Sequence, residues 1–228
     1  CESLQEFVIP NTVTTIGRSA FGGCKSLRSI HLPQSVTGIG DGVFVNSDLS
    51  VTTASPRFFS DGVCLFDKIQ QRLICCHRGD VVSYEIPQFV TAIAENAFMG
   101  RDHLRDILMP EGVISIGGAA FSNCSDLRDI EMPNGVTFIG NSAFWDCKSL
   151  QNIKIPEGVT CVEDYVFCGC SSLQSVEIPN GVSRIGNWAF QGCQSLNSFN
   201  IPDGVTHIGE YALGYCMNLE SIKIPDGI

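Results

Sequence analysis

Twelve cysteines in a 228-residue chain are the first candidates for chemistry, because thiolates bind metals, attack electrophiles and form disulfides. Seven of them, Cys1, Cys24, Cys124, Cys147, Cys170, Cys193 and Cys216, hold one recurring position, and Arg101 stands there in a further unit. Their offset from a recurring Ala-Phe step places them inside a coil, where a thiol behaves as a small apolar group. Rungs about 4.8 Å apart would let Cα atoms reach bridging range. Side chains running parallel do not bring Cβ atoms to the roughly 3.8 Å that a disulfide requires. Reduced, structural thiols are therefore expected, in a reducing or anaerobic setting or under deep burial. The other five are Cys64, Cys75, Cys76, Cys161 and Cys168. Neither Cys75-Cys76 nor Cys168-Gly169-Cys170 has the paired two-residue spacing of structural zinc, and in a strand Cys75 and Cys76 point to opposite faces. His31, His77, His103 and His207 fall at four different repeat positions, and none shares a local cluster with Cys and Asp. The glycines of Ile-Gly and Pro-x-Gly mark turns rather than a phosphate loop. The sequence thus predicts no catalytic site, no metal site and no cofactor.

The elements that would hold these residues repeat. Proline recurs at Pro10, Pro33, Pro56, Pro87, Pro110, Pro133, Pro156, Pro179, Pro202 and Pro225, always at 23 residues except for one step of 31 between Pro56 and Pro87. A fixed period of this size signals a solenoid whose units pack on their neighbours. Within residues 111–133 the apolar positions are Val113, Ile116, Ala120, Phe121, Cys124, Leu127, Ile130 and Met132. Ile130-Glu131-Met132 alternates in strand fashion, and Pro133, lacking an N–H, closes the strand. Pro133-Asn134-Gly135 then predicts a turn with positive φ at the glycine, repeated as Pro-x-Gly at 110, 156, 179, 202 and 225. A short extended piece, 136–139, leads to Asn141, a candidate cap for one helical or 3-10 turn carrying Ala143, Phe144 and Cys147 inward. Small-then-large steps such as Ala120-Phe121 and Ala143-Phe144 predict phenylalanines stacked from rung to rung. Trp145 and Trp188, beside the core phenylalanines, are expected to pack between coils, and the sequon at Asn123 encloses a ladder cysteine and reads as chance.

Composition narrows the function. Hydrophobic residues make up 44%, enough for a continuous core, and no apolar run is long enough to span a bilayer. The net charge is −10: residues 1–106 carry 9 basic and 11 acidic side chains (−2), and residues 107–228 carry 5 and 13 (−8). Such a surface repels phosphate backbones and anionic headgroups, so neither nucleic acid nor membrane insertion is expected. The chain reads as one solenoid over 1–228 with both ends cut mid-repeat. Between 46 and 86 the ladder slips. Two apolar runs, 61–66 and 72–77, separated by Asp67-Lys68-Ile69-Gln70-Gln71, predict a hairpin, read as a variant rung or as a protruding edge.

The pattern Cys-x-Ser-Leu-x-x-Ile-x-Ile-Pro-x-x-Val-Thr-x-Ile-Gly-x-x-Ala-Phe covers nearly the whole chain and resembles the BspA-like leucine-rich repeat family. The resemblance implies a right-handed, curved, β-rich solenoid of 23-residue units with a parallel strand ladder on its concave face and short strands and helical or 3-10 turns elsewhere. It also implies cell-surface or secreted proteins of anaerobic bacteria and some protists, used in adhesion and host-protein binding. The outward strand positions would then meet a protein partner: Ser29 and His31, Asp106 and Leu108, Asp129 and Glu131, Asn152 and Lys154, Ser175 and Glu177, Ser198 and Asn200, Ser221 and Lys223. That ribbon is polar, mixed in sign and short of aromatic anchors, which suits weak or multivalent binding. A spacer holding other domains apart is the alternative, and an enzyme the least supported.

Overall fold

Backbone hydrogen bonding sets the shape of each coil. The computed structural model describes residues 1–225; the last Pro-Asp-Gly turn, at 225, falls mostly outside them. After each proline from Pro10 to Pro202 except Pro56 the chain turns, with the Val113 N–H donating to Pro110 O at 3.1 Å and Val136 to Pro133 O at 3.1 Å. A two-residue strand follows, as at Ser115–Ile116 and Phe138–Ile139, and pairs in parallel with its neighbours one coil away. The outward-facing strands, such as Asn152–Lys154 and Ser175–Glu177, are parallel too. The expected β-solenoid is present.

Three local expectations are corrected. First, Gly135 does not have a positive φ. Its turn packs against the coil before, and a Cβ there would stand 3.4 Å from Glu111 O and 3.5 Å from Val113 O. Gly140, of the Ile-Gly step, is more tightly bound: a Cβ would meet Gly118 N at 2.5 Å. These glycines serve close approach between coils. Second, the described residues contain no helix. The arc after Ile-Gly is instead a run of turns in which Ser142 (φ 59°) and Asp146 (φ 57°) are left-handed, and equivalent residues recur, from Ser19 to Tyr211. Left-handed residues at every fourth position break an α-helix. Third, the strand expected around Ile130 is missing from the ladder. The face holds four parallel pairs, Ser29–Leu32 with Ser50–Thr53, Ser83–Glu85 with Asp106–Leu108, Asn152–Lys154 with Ser175–Glu177, and Ser198–Asn200 with Ser221–Lys223. Across residues 129–131 side chains still alternate, Asp129 and Glu131 outward and Ile130 inward, without strand pairing.

Inside, the phenylalanine stack forms as expected. Phe98, Phe121, Phe144, Phe167 and Phe190 lie with centroids 5.2–5.4 Å apart and rings within 16° of parallel. All five are fully buried.

The slipped segment is where the core divides. Cys64–Asp67 and Arg72–Cys76 form the expected antiparallel hairpin, joined by a third antiparallel strand, Phe58–Ser60, that the sequence did not disclose. Arg72–Cys76 then pairs in parallel with Ala92–Ile93, so the hairpin is built into the solenoid and is no protruding edge. Its strands are buried on both faces. Leu65, Ile74 and Cys75 enter one apolar cluster, while Cys64, Phe66, Leu73 and Cys76 enter the other. Cys75 and Cys76 do point to opposite faces, as expected.

Two polar groups fix this unit. Asp67 is buried and accepts the Arg57 Nε–H at 2.8 Å, the Arg57 Nη2–H at 2.6 Å and the N–H groups of Ile69 and Gln70 at 3.0 Å each. Burial would raise its pKa, but the hydrogen bonds from Arg57 and the two backbone N–H groups outweigh it and hold the carboxyl below its ordinary value. His77 is also buried; its Nδ1 lies 2.9 Å from Leu49 O and its Nε2 3.0 Å from Ser60 Oγ. The carbonyl can only accept, so Nδ1 carries the proton and Nε2 accepts from the Ser60 hydroxyl. Burial lowers the pKa of His77, against the pull of the Leu49 carbonyl.

Asp67→Asn is expected to lower the unfolding free energy by about 2–3 kcal/mol in urea titrations, because Arg57 loses its charged acceptor. A depressed histidine pKa makes the unfolded chain bind more protons once pH falls below about 6.5. Stability is therefore expected to be held above that pH and to decline from 6.5 towards 5, with His77→Gln flattening the decline.

Candidate functional site

The outward strand positions form an ordered set of exposed side chains. Ser29, His31, Asp106, Leu108, Asp129, Glu131, Asn152, Lys154, Ser175, Glu177, Ser198, Asn200, Ser221 and Lys223 are all exposed, and the buried Ile30, Ile107, Ile130, Ile153 and Phe199 lie between them. Parallel register aligns neighbours directly: Asn152 with Ser175 and Lys154 with Glu177. The Ser175 hydroxyl donates to Asn152 Oδ1 at 2.7 Å, and Lys154 Nζ lies 3.9 Å from Glu177 Oε2. Such surface pairs contribute little stability, so these side chains remain available to a partner. An open depression runs across Asp129, Glu131, Asn152, Lys154, Ser175 and Glu177. It has walls of both signs and an apolar floor at Ile130 and Ile153.

The structure adds members that sequence reasoning missed. Ser50 and Thr52 pair with Ser29 and His31, and Ser83 and Glu85 with Asp106 and Leu108. The first offset is 21 residues and not 23, which hid it from a search at fixed period. His31 Nδ1 lies 3.0 Å from Thr52 Oγ1.

A second exposed column lies on the arcs. Tyr165, Trp188 and Tyr211 are stacked, with centroids 4.9 and 6.2 Å apart and rings within 8° of parallel. Trp188 packs between coils as expected, yet the column reaches solvent: Tyr165 is 37% and Tyr211 62% exposed. All three sit one residue before the small-large step, and their 23-residue spacing was a legible signal.

The reactive groups sort differently. In the ladder, Cys124 donates its S–H to Phe98 O, Cys147 to Phe121 O and Cys170 to Phe144 O at 3.1–3.2 Å, each across to the preceding coil. Ser47 takes this position in the slipped unit and bonds Phe21 O at 2.8 Å, a substitution the sequence reading passed over. Burial pushes the thiol of Cys124 up to about 12, and those of Cys147, Cys170 and Cys193 well above their ordinary value. Cys1 departs from the expectation for the ladder and is exposed. Ser60 and His77 make a nucleophile–base contact. However, Ser60 Oγ also accepts the Gly62 N–H at 3.2 Å and the imidazole is fully buried, so the pair fastens the hairpin to Leu49. No group of three or more His, Cys, Asp or Glu suited to a metal occurs among the described residues. The described residues hold no helix long and apolar enough to cross a membrane.

Comparison with known proteins gives a consistent answer. A family model described as "BspA type Leucine rich repeat region" matches in six copies over residues 1–73, 67–179 and 160–228. A leucine-rich repeat protein from Eubacterium ventriosum superposes with a TM-score of 0.76 at 24% identity, over 98% of this chain and 67% of that one. A leucine-rich cell surface protein from Faecalibacterium prausnitzii gives 0.65 at 30% identity, over 94% and 52%. The pneumococcal vaccine antigen PcpA gives 0.65 at 22% identity, over 92% and 48%. At 24% and 22% identity the first and third show the fold alone, and the chain spans about half the length of the second and third. No curated protein matches.

On alkylation of the native chain, Cys1 is expected to react first. Cys147, Cys170 and Cys193 are expected to react only with unfolding, as followed by mass spectrometry of the labelled peptides.

Proposed function

The chain belongs to the BspA-type leucine-rich repeat family, and from that premise we propose that it is a non-enzymatic protein-binding segment of a cell-surface or secreted protein. The partner is a protein held along the outward strand ribbon, from Ser29 and His31 to Ser221 and Lys223. The observation that carries this reading is the register. Side chains from separate coils stand in two exposed columns over a mostly buried row; backbone pairing aligns them within four pairs of coils, and residues 129–131 keep the alternation without it. Such a surface is preorganised, so binding costs little ordering. Each rung offers polar, mixed-sign contacts of modest strength, and affinity grows with the number of rungs engaged. The depression across Asp129, Glu131, Lys154 and Glu177 gives that ribbon a patch of opposed charge.

The stacked Tyr165, Trp188 and Tyr211 favour a second reading in which the arcs meet the partner, since Tyr and Trp dominate binding hot spots. A spacer role would need neither surface.

The test compares three chains in pull-downs from host-cell or neighbour-cell surface extracts, followed by titration of whatever is retained. Asp106→Ala/Asp129→Ala/Glu131→Ala is expected to weaken binding about tenfold or more with unchanged thermal unfolding. Tyr165→Ser/Tyr211→Ser is expected to bind as the parent chain does. Unaltered affinity in the acidic triple variant removes the strand ribbon from the interface, and loss in the tyrosine variant moves the interface to the arcs. Retention of nothing by any of the three leaves the spacer.

A further inference from the structure

The hairpin sets two cysteines from different strands face to face. Cys64, in the Cys64–Asp67 strand, pairs with Cys76, in the antiparallel Arg72–Cys76 strand. The backbone bonds show which kind of antiparallel pair this is. The Cys64 N–H donates to Asp61 Oδ1 at 2.7 Å and its carbonyl accepts from the Asp61 N–H at 3.3 Å, while the Cys76 N–H donates to Ala97 O at 2.7 Å. It is the next residue, His77, whose N–H crosses to Val63 O, at 2.9 Å. The two cysteines are thus a non-hydrogen-bonded pair, the closer of the two antiparallel types, with Cα atoms typically about 4.5 Å apart. That spacing lies inside the window of roughly 4.4–6.8 Å that disulfides occupy. Both side chains enter the same apolar cluster, so they leave the sheet on the same face. The ladder thiols, by contrast, each bond a carbonyl of the preceding coil and run parallel to one another.

We propose that Cys64 and Cys76 are an oxidisable dithiol that hydrogen peroxide closes into a cross-strand disulfide. Peroxide is the oxidant that fits, being little larger than water, because both residues are almost completely buried. The route in is short: the Cys76 S–H donates to Arg78 O, at 3.4 Å, in the turn that leads to the exposed Asp80. In the first step the Cys76 thiolate attacks one peroxide oxygen. The O–O bond breaks, and the departing hydroxide takes up the proton that Cys76 released, giving a sulfenic acid and one water. In the second step the Cys64 thiolate attacks that sulfur. The S–S bond forms, the S–O bond breaks, and hydroxide leaves with the Cys64 proton as the second water. Two electrons pass from the two sulfurs to one peroxide.

The surroundings select Cys76 as the attacking sulfur. The neighbouring Cys64 thiol, working against burial, favours its thiolate, and the positive charge of Arg101 adds to this. Arg101 stands where other coils place a cysteine. It is buried, its Nη2 donates to Ser47 O at 3.1 Å, its Nε has no partner, and it makes no salt bridge among the described residues. A buried cation without a counter-charge is costly, and the Cys76 thiolate supplies one. Cys64 is correspondingly held as the thiol, chiefly by burial.

Tryptic digestion separates the partners cleanly, since Cys64 falls in peptide 58–68 and Cys75 with Cys76 in peptide 73–78. The reduced, folded 228-residue chain is treated with hydrogen peroxide, denatured, alkylated and digested without reduction. The expected product is 58–68 linked to 73–78, with the loss of two free thiols and their recovery in dithiothreitol. The link is expected to persist in Cys75→Ser and vanish in Cys76→Ser. Closure is expected to raise Tm by about 5–10 °C, and Arg101→Gln to slow it several-fold. Oxidation of the ladder cysteines at the same rate, or a link surviving in Cys76→Ser, overturns the proposal. Should Cys76→Ser fail to fold, Cys64→Ser replaces it. There Cys76 is expected to accumulate as a sulfenic acid trapped by dimedone, and a failure to trap it overturns the assignment of Cys76 as attacking sulfur.

Discussion

Every coil depends on how the arc divides its N–H groups. In residues 119–124 the donors alternate. Ala119, Phe121 and Asn123 give their N–H groups forward to Asn141, Ala143 and Trp145 of the next coil, at 2.7–2.9 Å. Ala120, Ser122 and Cys124 give theirs back within the arc to Gly117, Ala119 and Phe121, at 3.1–3.3 Å. A helix would spend all of these bonds locally, and a strand would spend none so. The left-handed residues flanking each small-large step allow the compromise. Buried N–H groups need partners, so a coil without its neighbour would leave half of its arc donors to water. The same alternation fixes the 23-residue offset, and that offset sets the phenylalanine stack, the thiol column and the exposed ribbon.

The slipped unit tests the constraint. A rung of irregular length cannot supply the forward acceptors, so the hairpin supplies them differently. Arg72–Cys76 pairs in parallel with Ala92–Ile93, and the Cys76 N–H reaches Ala97 O. The cost is a divided core, with the apolar clusters on either side meeting only through strands buried on both faces. It also places Asp67, His77, Cys64, Cys76 and Arg101 in one region, so most of the unusual polar chemistry of the interior lies within a single unit.

Much of this was legible in the sequence. The proline period gave the solenoid, the Ala-Phe step the ring stack, and the shared offset of the cysteines their burial. Local pattern failed where the cause was another coil. Gly135 reads as a turn glycine because Pro-Asn-Gly is a turn signal, but its lack of a side chain answers to Glu111 and Val113 one coil away. Asn141 reads as a helix cap, yet the left-handed Ser142 beside it belongs to a forward-bonding arc. Thr52 was lost from the ribbon where the offset became 21, and Ser83 and Glu85, although 23 residues before Asp106 and Leu108, were lost because they lie inside the slipped segment. Cys64 and Cys76 carry no spacing signal at all, because a bulge between Leu65 and Phe66 shifts their register.

The forward direction of the arc bonds has a consequence for assembly. Along this side of the solenoid, each coil offers N–H groups to the coil that follows and C=O groups to the coil that precedes it. The two edges of an arc are therefore complementary and never alike. Two copies meeting through like edges would set donor against donor there, so this side disfavours a closed twofold dimer. Pairing through such arcs is therefore directional, joining a donor edge to an acceptor edge and never like to like.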